Sequence, residues 1–207
     1  MRKIVAVESL SLDGVMQAPG RADEDLRGGF AHGGWAMAYN DADKGRIMAQ
    51  GMAQGPELLF GRRTYEDFFA VWPGRQDNPF SALLDATPKY VASRTLVEPL
   101  PWKNSILLAG EAAESVARLK RSAGPDLVVL GSGELVRSLL RHELVDELVL
   151  LVHPLLLGAG RRLFADDGGL APYRLVEAPT TGAGVIVASY QRELRYGDAG
   201  MGREATR

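Results

Sequence analysis

Two stretches of the chain gather residue types that can hold phosphate: Leu58-Leu59-Phe60-Gly61-Arg62-Arg63-Thr64-Tyr65-Glu66 and Leu127-Val128-Val129-Leu130-Gly131-Ser132-Gly133-Glu134-Leu135. In each, an apolar run suited to a buried strand stops at glycine and is followed at once by helix-forming residues. Glycine there lets the backbone approach a ligand closely, and the first helical turn offers free N–H groups to an anion. Gly61, Arg62, Arg63 and Thr64 would set two guanidinium groups beside a helix start, unless the arginines are simply solvated. Gly131, Ser132, Gly133, Glu134 and Leu135 would cradle a diphosphate through the backbone, or form only a tight strand-to-helix turn. The second stretch lacks the third glycine of the Rossmann fingerprint and the lysine of a P-loop. Glu134 reads as a dipole partner in the first helical turn.

A third turn, Ser93-Arg94-Thr95, follows the strand-like Lys89-Tyr90-Val91-Ala92. In an open α/β sheet ligands gather at the carboxyl ends of strands, so these turns can meet at one phosphate-rich ligand. Arginines without an acid placed to hold a ribose hydroxyl favour a 2′-phosphate, and hence NADPH over NADH. Asp13, in Ser11-Leu12-Asp13-Gly14, either bonds a ligand or caps a turn. The three histidines, 32, 142 and 153, match no metal-binding spacing, and His142 reads as a helix cap. No metal is expected, and the absence of a Gly-x-Ser-x-Gly elbow leaves an esterase triad unsupported.

These turns need strands and helices to position them, and periodicity predicts both. Residues 3–9 read as a first strand, and 11–40 as a long glycine-rich loop that includes Phe30, His32 and Trp35. Loops of that length are usually functional or disordered, and embedded aromatics favour a pocket wall. A helix over 41–54 follows, then strand 57–60 and a helix whose start, Thr64 to Asp67, resembles a capping box. A short helix over 78–85, strands 89–92 and 105–109, and an amphipathic helix over 111–122 come next. Strand 127–130, helix 133–141 and strand 146–152 suggest a βαβ unit with a parallel pair. Tyr173 to Ala178 and Gly184 to Gln191 suggest an antiparallel hairpin. The fold class is α/β, three layers (α/β/α) around a mostly parallel mixed sheet. Residues 1–195 form one domain and 196–207 a flexible tail.

Composition narrows the function. The 207 residues are 46% hydrophobic and 24% charged, with 24 basic against 26 acidic side chains and no cysteine. A net charge of −2 supplies no global field toward nucleic acid or anionic membrane. Without cysteine there is no disulfide, thiolate metal site or cysteine nucleophile. No apolar stretch is long enough for a signal peptide or bilayer span, so a cytoplasmic protein is expected.

Taken in order, the motifs resemble the dihydrofolate reductase-like superfamily, above all its branch containing the C-terminal reductase domain of bifunctional riboflavin-biosynthesis proteins. The resemblance rests on Ser11-Leu12-Asp13-Gly14, Gly61 to Glu66, Ser93-Arg94-Thr95-Leu96, Gly131-Ser132-Gly133, and Pro154-Leu155-Leu156-Leu157-Gly158-Ala159-Gly160, spread over residues 2–193. It implies NADPH lying across strand ends. Arg62, Arg63 and Thr64 would face the 2′-phosphate and diphosphate side, Ser93 and Arg94 the adenosine phosphate, and Gly131 to Gly133 the diphosphate. It implies hydride transfer to a small heteroaromatic or carbonyl substrate, pterin- or pyrimidine-like, enclosed by residues 11–40. Asp13 would orient that substrate, Phe30 or Trp35 would stack on it, and Asp43 or water would supply a proton. The chain lacks the zinc-binding deaminase half of the bifunctional proteins and the acid-bearing pattern of folate reductases. A non-catalytic binder on the same fold, or a phosphosugar or nucleotide enzyme without redox chemistry, are the alternatives. Homodimerisation through Leu144 to Leu157 and the hairpin is expected, with a small molecule as partner.

Overall fold

The computed structural model describes residues 1–75, 78–164 and 169–193; the expected tail at 196–207 lies outside them. Eight strands form one sheet: β1 (Ile4–Ser11), β2 (Glu57–Gly61), β3 (Lys89–Ser93), β4 (Ser105–Ala109), β5 (Leu127–Leu130), β6 (Glu147–His153), β7 (Tyr173–Glu177) and β8 (Ile186–Arg192). Their order is β4-β3-β2-β5-β1-β6-β8-β7; the first six are parallel, β8 is antiparallel to β6, and β7 is antiparallel to β8. Five helices connect them: α1 (Ala42–Ala53), α2 (Arg62–Val71), α3 (Pro79–Ala86), α4 (Ala112–Arg121) and α5 (Gly133–Arg141).

Alternating strand residues divide the core in two. Ile4, Ala6, Leu59, Leu127 and Val129 face Val116 of α4 and Val136 and Leu139 of α5. Leu58, Phe60, Val91 and Val128 face Met52 of α1, Tyr65 of α2 and Leu84 of α3. Both faces of the sheet are thus covered, as a parallel sheet requires.

Three expectations need correction. Strands β5 and β6 are parallel but not adjacent, because β1 lies between them. Helix α2 begins at Arg62, capped by Gly61 without a side-chain bond, so Thr64 sits inside the first turn and forms no capping box. Of the apolar stretch expected at a subunit interface, Leu148, Leu150 and Leu151 of β6 are buried in the protomer's own core, so within that stretch Leu156, and on edge strand β7 Leu175 and Val176, are the exposed apolar side chains. Among the described residues no helix is long and apolar enough to cross a membrane, and no cluster of His, Asp and Glu is placed to hold a metal.

The amino edge of the sheet is closed by cations that satisfy carbonyl groups. The fully buried Lys89 donates to Leu84 O and Thr87 O, both at 2.7 Å, and lies 4.6 Å from the Trp102 ring centroid. Burial pulls its ammonium down to about 8. Lys120 donates to Leu144 O at 2.8 Å and pairs with Asp146. Arg2 pairs with Glu57 and lies over the Tyr90 ring. Helix C-termini leave carbonyls without partners, and buried lysines answer them there. Lys89→Met leaves the carbonyls of Leu84 and Thr87 without their buried donor and should destabilise the fold by roughly 1–3 kcal/mol. Urea unfolding checks this, and an unchanged midpoint would show that water replaces the ammonium.

Candidate active site

At the opposite edge β5 stops early. Its ladder with β2 covers two residue pairs, Glu57–Leu127 and Leu58–Val128, and its ladder with β1 ends at Val7–Leu130. Strand β2 continues to Gly61, while β1 continues beside β6 to Ser11 and His153. The end of β5 is therefore recessed, leaving a notch in the carboxyl edge of the sheet. Gly131 N closes the ladder by donating to Val7 O at 3.0 Å. By strand alternation, Ser9 turns its backbone groups into the notch.

Two of the sequence motifs meet beside it. Gly131 (φ 66°) and Ser132 (φ 65°) are both left-handed, which turns the chain sharply from β5 into α5. Ser132 Oγ accepts from Gly61 N at 3.0 Å, joining the phosphate-type turns of β2 and β5. Thr64 Cγ2 would lie 3.7 Å from a Cβ at Gly131. The first intrahelical bond of α5 is Val136 N to Ser132 O, so the amides of Gly133, Glu134 and Leu135 precede the ladder. Met16, from the loop after β1, packs onto Gly133 so closely that a Cβ there would meet its sulfur at 2.0 Å.

Charge around the notch is arranged for an anion. Arg63 is exposed and makes no ion pair among the described residues. Arg62 pairs with Glu66 at 2.8 Å, and Glu134 is taken by Arg161 at 2.5 Å. Next along the sheet, Ser93 Oγ accepts from Thr95 N and Leu96 N, which shapes the turn carrying Arg94, an exposed guanidinium paired with Glu111 at 3.2 Å. Main-chain amides, a bridging hydroxyl and the Arg63 guanidinium, with Arg62 held by Glu66 beside it, fit a diphosphate with a further phosphate. Gly61, Arg62, Arg63, Thr64 and Gly131 to Leu135 are the residues that would hold it.

The carboxylates expected in catalysis are engaged elsewhere. Asp13 accepts from Ser11 Oγ at 2.6 Å, Leu157 N at 3.1 Å and Gly158 N at 2.9 Å, and approaches Arg162. These bonds, the Ser11 hydroxyl foremost, hold its pKa down at about 2. It is an ionised staple between residues 11–14 and 154–160 and no proton donor near neutrality. Asp43 accepts from Gly182 N at 3.2 Å, and Asp41, the N-cap of α1, accepts from Ala183 N at 2.7 Å. Both grip the loop between β7 and β8.

Phe30 and Trp35, expected to stack on substrate, are instead the core of the 11–40 loop. With Val15, Ala18 and Ala36 they form a separate buried cluster, and Trp35 Nε1 donates to Gln17 O at 2.7 Å. Gln17 Nε2 in turn donates to Asp25 O and Arg27 O. Gly33 allows the loop to cross itself, since a Cβ there would lie 2.4 Å from Ala22 O. Arg21 fixes the loop to α2 through both oxygens of Asp67.

Two features were not read from the sequence. Glu8 of β1 is buried on the α5 side, next to the strand end, and its Oε1 has no hydrogen-bond partner. Burial, reinforced by Glu24, pushes its carboxyl up to about 8. On the α1 side, His153 is fully buried at the end of β6, with Lys44 Nζ 3.4 Å from its Nε2. The interruption of the apolar run 148–157 by His153 was the available signal, because its parity places it beside Val149 and Leu151 on the α1 face.

Glu8 makes stability fall as pH rises. Between an ordinary carboxyl value near 4.5 and about 8, the unfolded chain has released the proton that the folded chain keeps. The penalty grows through that window and levels off above it. Glu8→Gln should match the wild type near pH 4 and exceed it at pH 8 in urea unfolding. Parallel pH profiles would show that Glu8 ionises freely in the fold.

Comparison with known proteins agrees with this architecture. The RibD C-terminal domain family matches residues 2–187. The Bacillus subtilis protein YyaP, itself uncharacterized, is 29% identical over 137 residues, 64% of this chain and 72% of YyaP. Among solved structures, a putative riboflavin biosynthesis protein from Shewanella sp. PV-4 aligns with a TM-score of 0.63 and 20% identity, covering 93% of this chain and 99% of that one. A pyrimidine reductase-like protein from Corynebacterium diphtheriae gives 0.62 at 13% identity, covering 94% and 93%. Dihydrofolate reductase from Enterococcus faecalis, complexed with NADP(H), gives 0.56 at 11% identity, covering 92% and 96%. At these identities the structural likenesses establish the dihydrofolate reductase-like fold.

Proposed function

Because the chain belongs to the RibD C-terminal domain family, we propose that it is an NADPH-dependent reductase of a small heteroaromatic or carbonyl substrate, pterin- or pyrimidine-like. The observation that carries this reading is the convergence of the β2 and β5 turns at the recessed end of β5, bridged by Gly61 N and Ser132 Oγ. When bound, NADPH supplies a hydride; the chain supplies position and field. Helix dipoles and the amides of residues 133–135 stabilise the diphosphate, and Arg62 and Arg63 the 2′-phosphate. The notch lies between the α5 face, which carries the β5 turn, and the α1 face, which carries α2 and, further along the sheet, Lys44 and His153. Substrate belongs on the α1 face.

The engagement of Asp13 and Asp43 in structural bonds favours a second reading, a non-catalytic nucleotide binder, unless another group delivers the proton. Calorimetric titration separates cofactor use from general phosphate binding. NADPH should bind at least tenfold more tightly than NADH. Arg63→Ala should weaken NADPH at least tenfold while leaving NADH within about twofold. Equal binding of the two nucleotides would remove the 2′-phosphate assignment, and binding of neither would remove the reductase reading.

A further inference from the structure

Lys44 stands in the first turn of α1, directly after Asp43; Asp41 and Asp43 turn outward to the β7–β8 loop. Its own side chain turns inward and is half-buried. Nζ donates to Asn40 Oδ1 at 3.0 Å and meets His153 Nε2 at 3.4 Å. An ammonium has three protons, so one donor remains. No carboxylate lies within ion-pair distance of Nζ among the described residues. A half-buried lysine without a carboxylate is a costly arrangement for stability alone.

His153 explains how that arrangement is held. Its Nδ1 lies 2.9 Å from Leu151 O and 3.3 Å from Leu10 O, both of them acceptors, so Nδ1 carries the proton. Nε2 is then a lone pair facing the Lys44 ammonium. Trp35 and Tyr39 meet the ring edge-on, at centroid distances of 5.1 and 5.6 Å, and fix its plane. Burial and the Lys44 charge hold His153 below its ordinary pKa, and burial also lowers Lys44. The titratable groups around Nζ are Asp41 on its own helix, Tyr39 from the 3-10 turn at Met37–Tyr39, and His153 from β6. The pair sits at the carboxyl edge, two strands along the sheet from recessed β5.

We propose that Lys44 is the catalytic proton donor of the reductase and that His153 is the residue that positions it. This assignment rests on the reductase reading above. The substrate would present a carbonyl oxygen or imine nitrogen to the remaining Nζ proton. In balance, the hydride supplied by NADPH forms a bond to the electrophilic carbon, the C=O or C=N π pair moves onto the heteroatom, and that atom takes the proton as the Nζ–H bond breaks. NADP⁺ and the reduced substrate result, and the neutral Lys44 amine regains a proton from water. The substrate class narrows to neutral C=O or C=N compounds, because a substrate already cationic at the acceptor would be repelled by the ammonium.

The test begins with NADPH calorimetry on the wild type, Lys44→Met, Lys44→Arg and His153→Gln. All four should bind alike, since the pair lies away from the phosphate turns. NADPH oxidation is then followed with 7,8-dihydrofolate as the C=N probe and 4-nitrobenzaldehyde as the C=O probe. Lys44→Met should lower kcat by about 10²–10⁴-fold with little change in KM. The wild-type rate should fall on the alkaline side as Lys44 loses its proton; Lys44→Arg, whose guanidinium keeps its proton, should be as slow as Lys44→Met and lack that limb, and recovery of the rate in Lys44→Arg would overturn proton donation. Independently of turnover, the ¹⁵N-lysine NMR signal of Lys44 should titrate below the surface lysines and move in His153→Gln. A Lys44 signal that titrates with the surface lysines and ignores His153→Gln overturns the assignment, as does wild-type kcat in Lys44→Met. A wild type that binds no NADPH fails at the first step and removes the reductase reading itself.

Discussion

The direction of the parallel strands is the constraint from which the rest of the molecule follows. A helix that returns the chain for a second parallel strand ends where that strand begins, so its last carbonyls gather at the amino edge. The helices that leave strands β2 and β5 start at the other edge, with amides pointing outward. Each edge is completed by side chains of the matching kind. Lys89, Lys120 and Arg2 answer carbonyls and carboxylates at the amino edge. Glycine turns and guanidinium groups leave amides open at the carboxyl edge. One set is buried and stabilises the fold; the other is accessible and is available to a ligand.

The short β5 turns that polarity into a site. A four-residue strand between longer neighbours opens a passage through the sheet edge without breaking the core below it. Each face of the sheet carries one ionisable group with few partners at this edge, Glu8 toward α5 and, further along, Lys44 toward α1. Burial acts oppositely on the two, since it disfavours whichever form is charged. The acid keeps its proton more firmly and the base gives its proton up more readily, within one architecture.

Much of the fold was legible in the residues because local signals agreed. Strands 105–109 and 127–130 and helix 133–141 are apolar or amphipathic runs bounded by glycine and charge, and their limits match. Sheet order was not legible, since the insertion of β1 between β5 and β6 joins segments more than a hundred residues apart. Within the site, glycine-led turns could be named from sequence because backbone geometry is encoded locally. Asp13, Asp43, Phe30 and Trp35 were read as ligand-facing because their types suit it. Their actual partners, such as Leu157 and Gly158 for Asp13, lie far along the chain and cannot be seen from spacing. Lys44 and His153, separated by 109 positions, present the same difficulty in reverse: each looks ordinary alone.

The 11–40 segment has its own core, its own crossing at Gly33 and its own tether from Arg21 to Asp67. A cover built this way is already assembled before a ligand arrives. Binding then need not immobilise some thirty residues, a cost that would otherwise be drawn from affinity. The adaptable element beside the start of α5 is the Met16 side chain resting on Gly133, whose unbranched thioether changes rotamer at little cost.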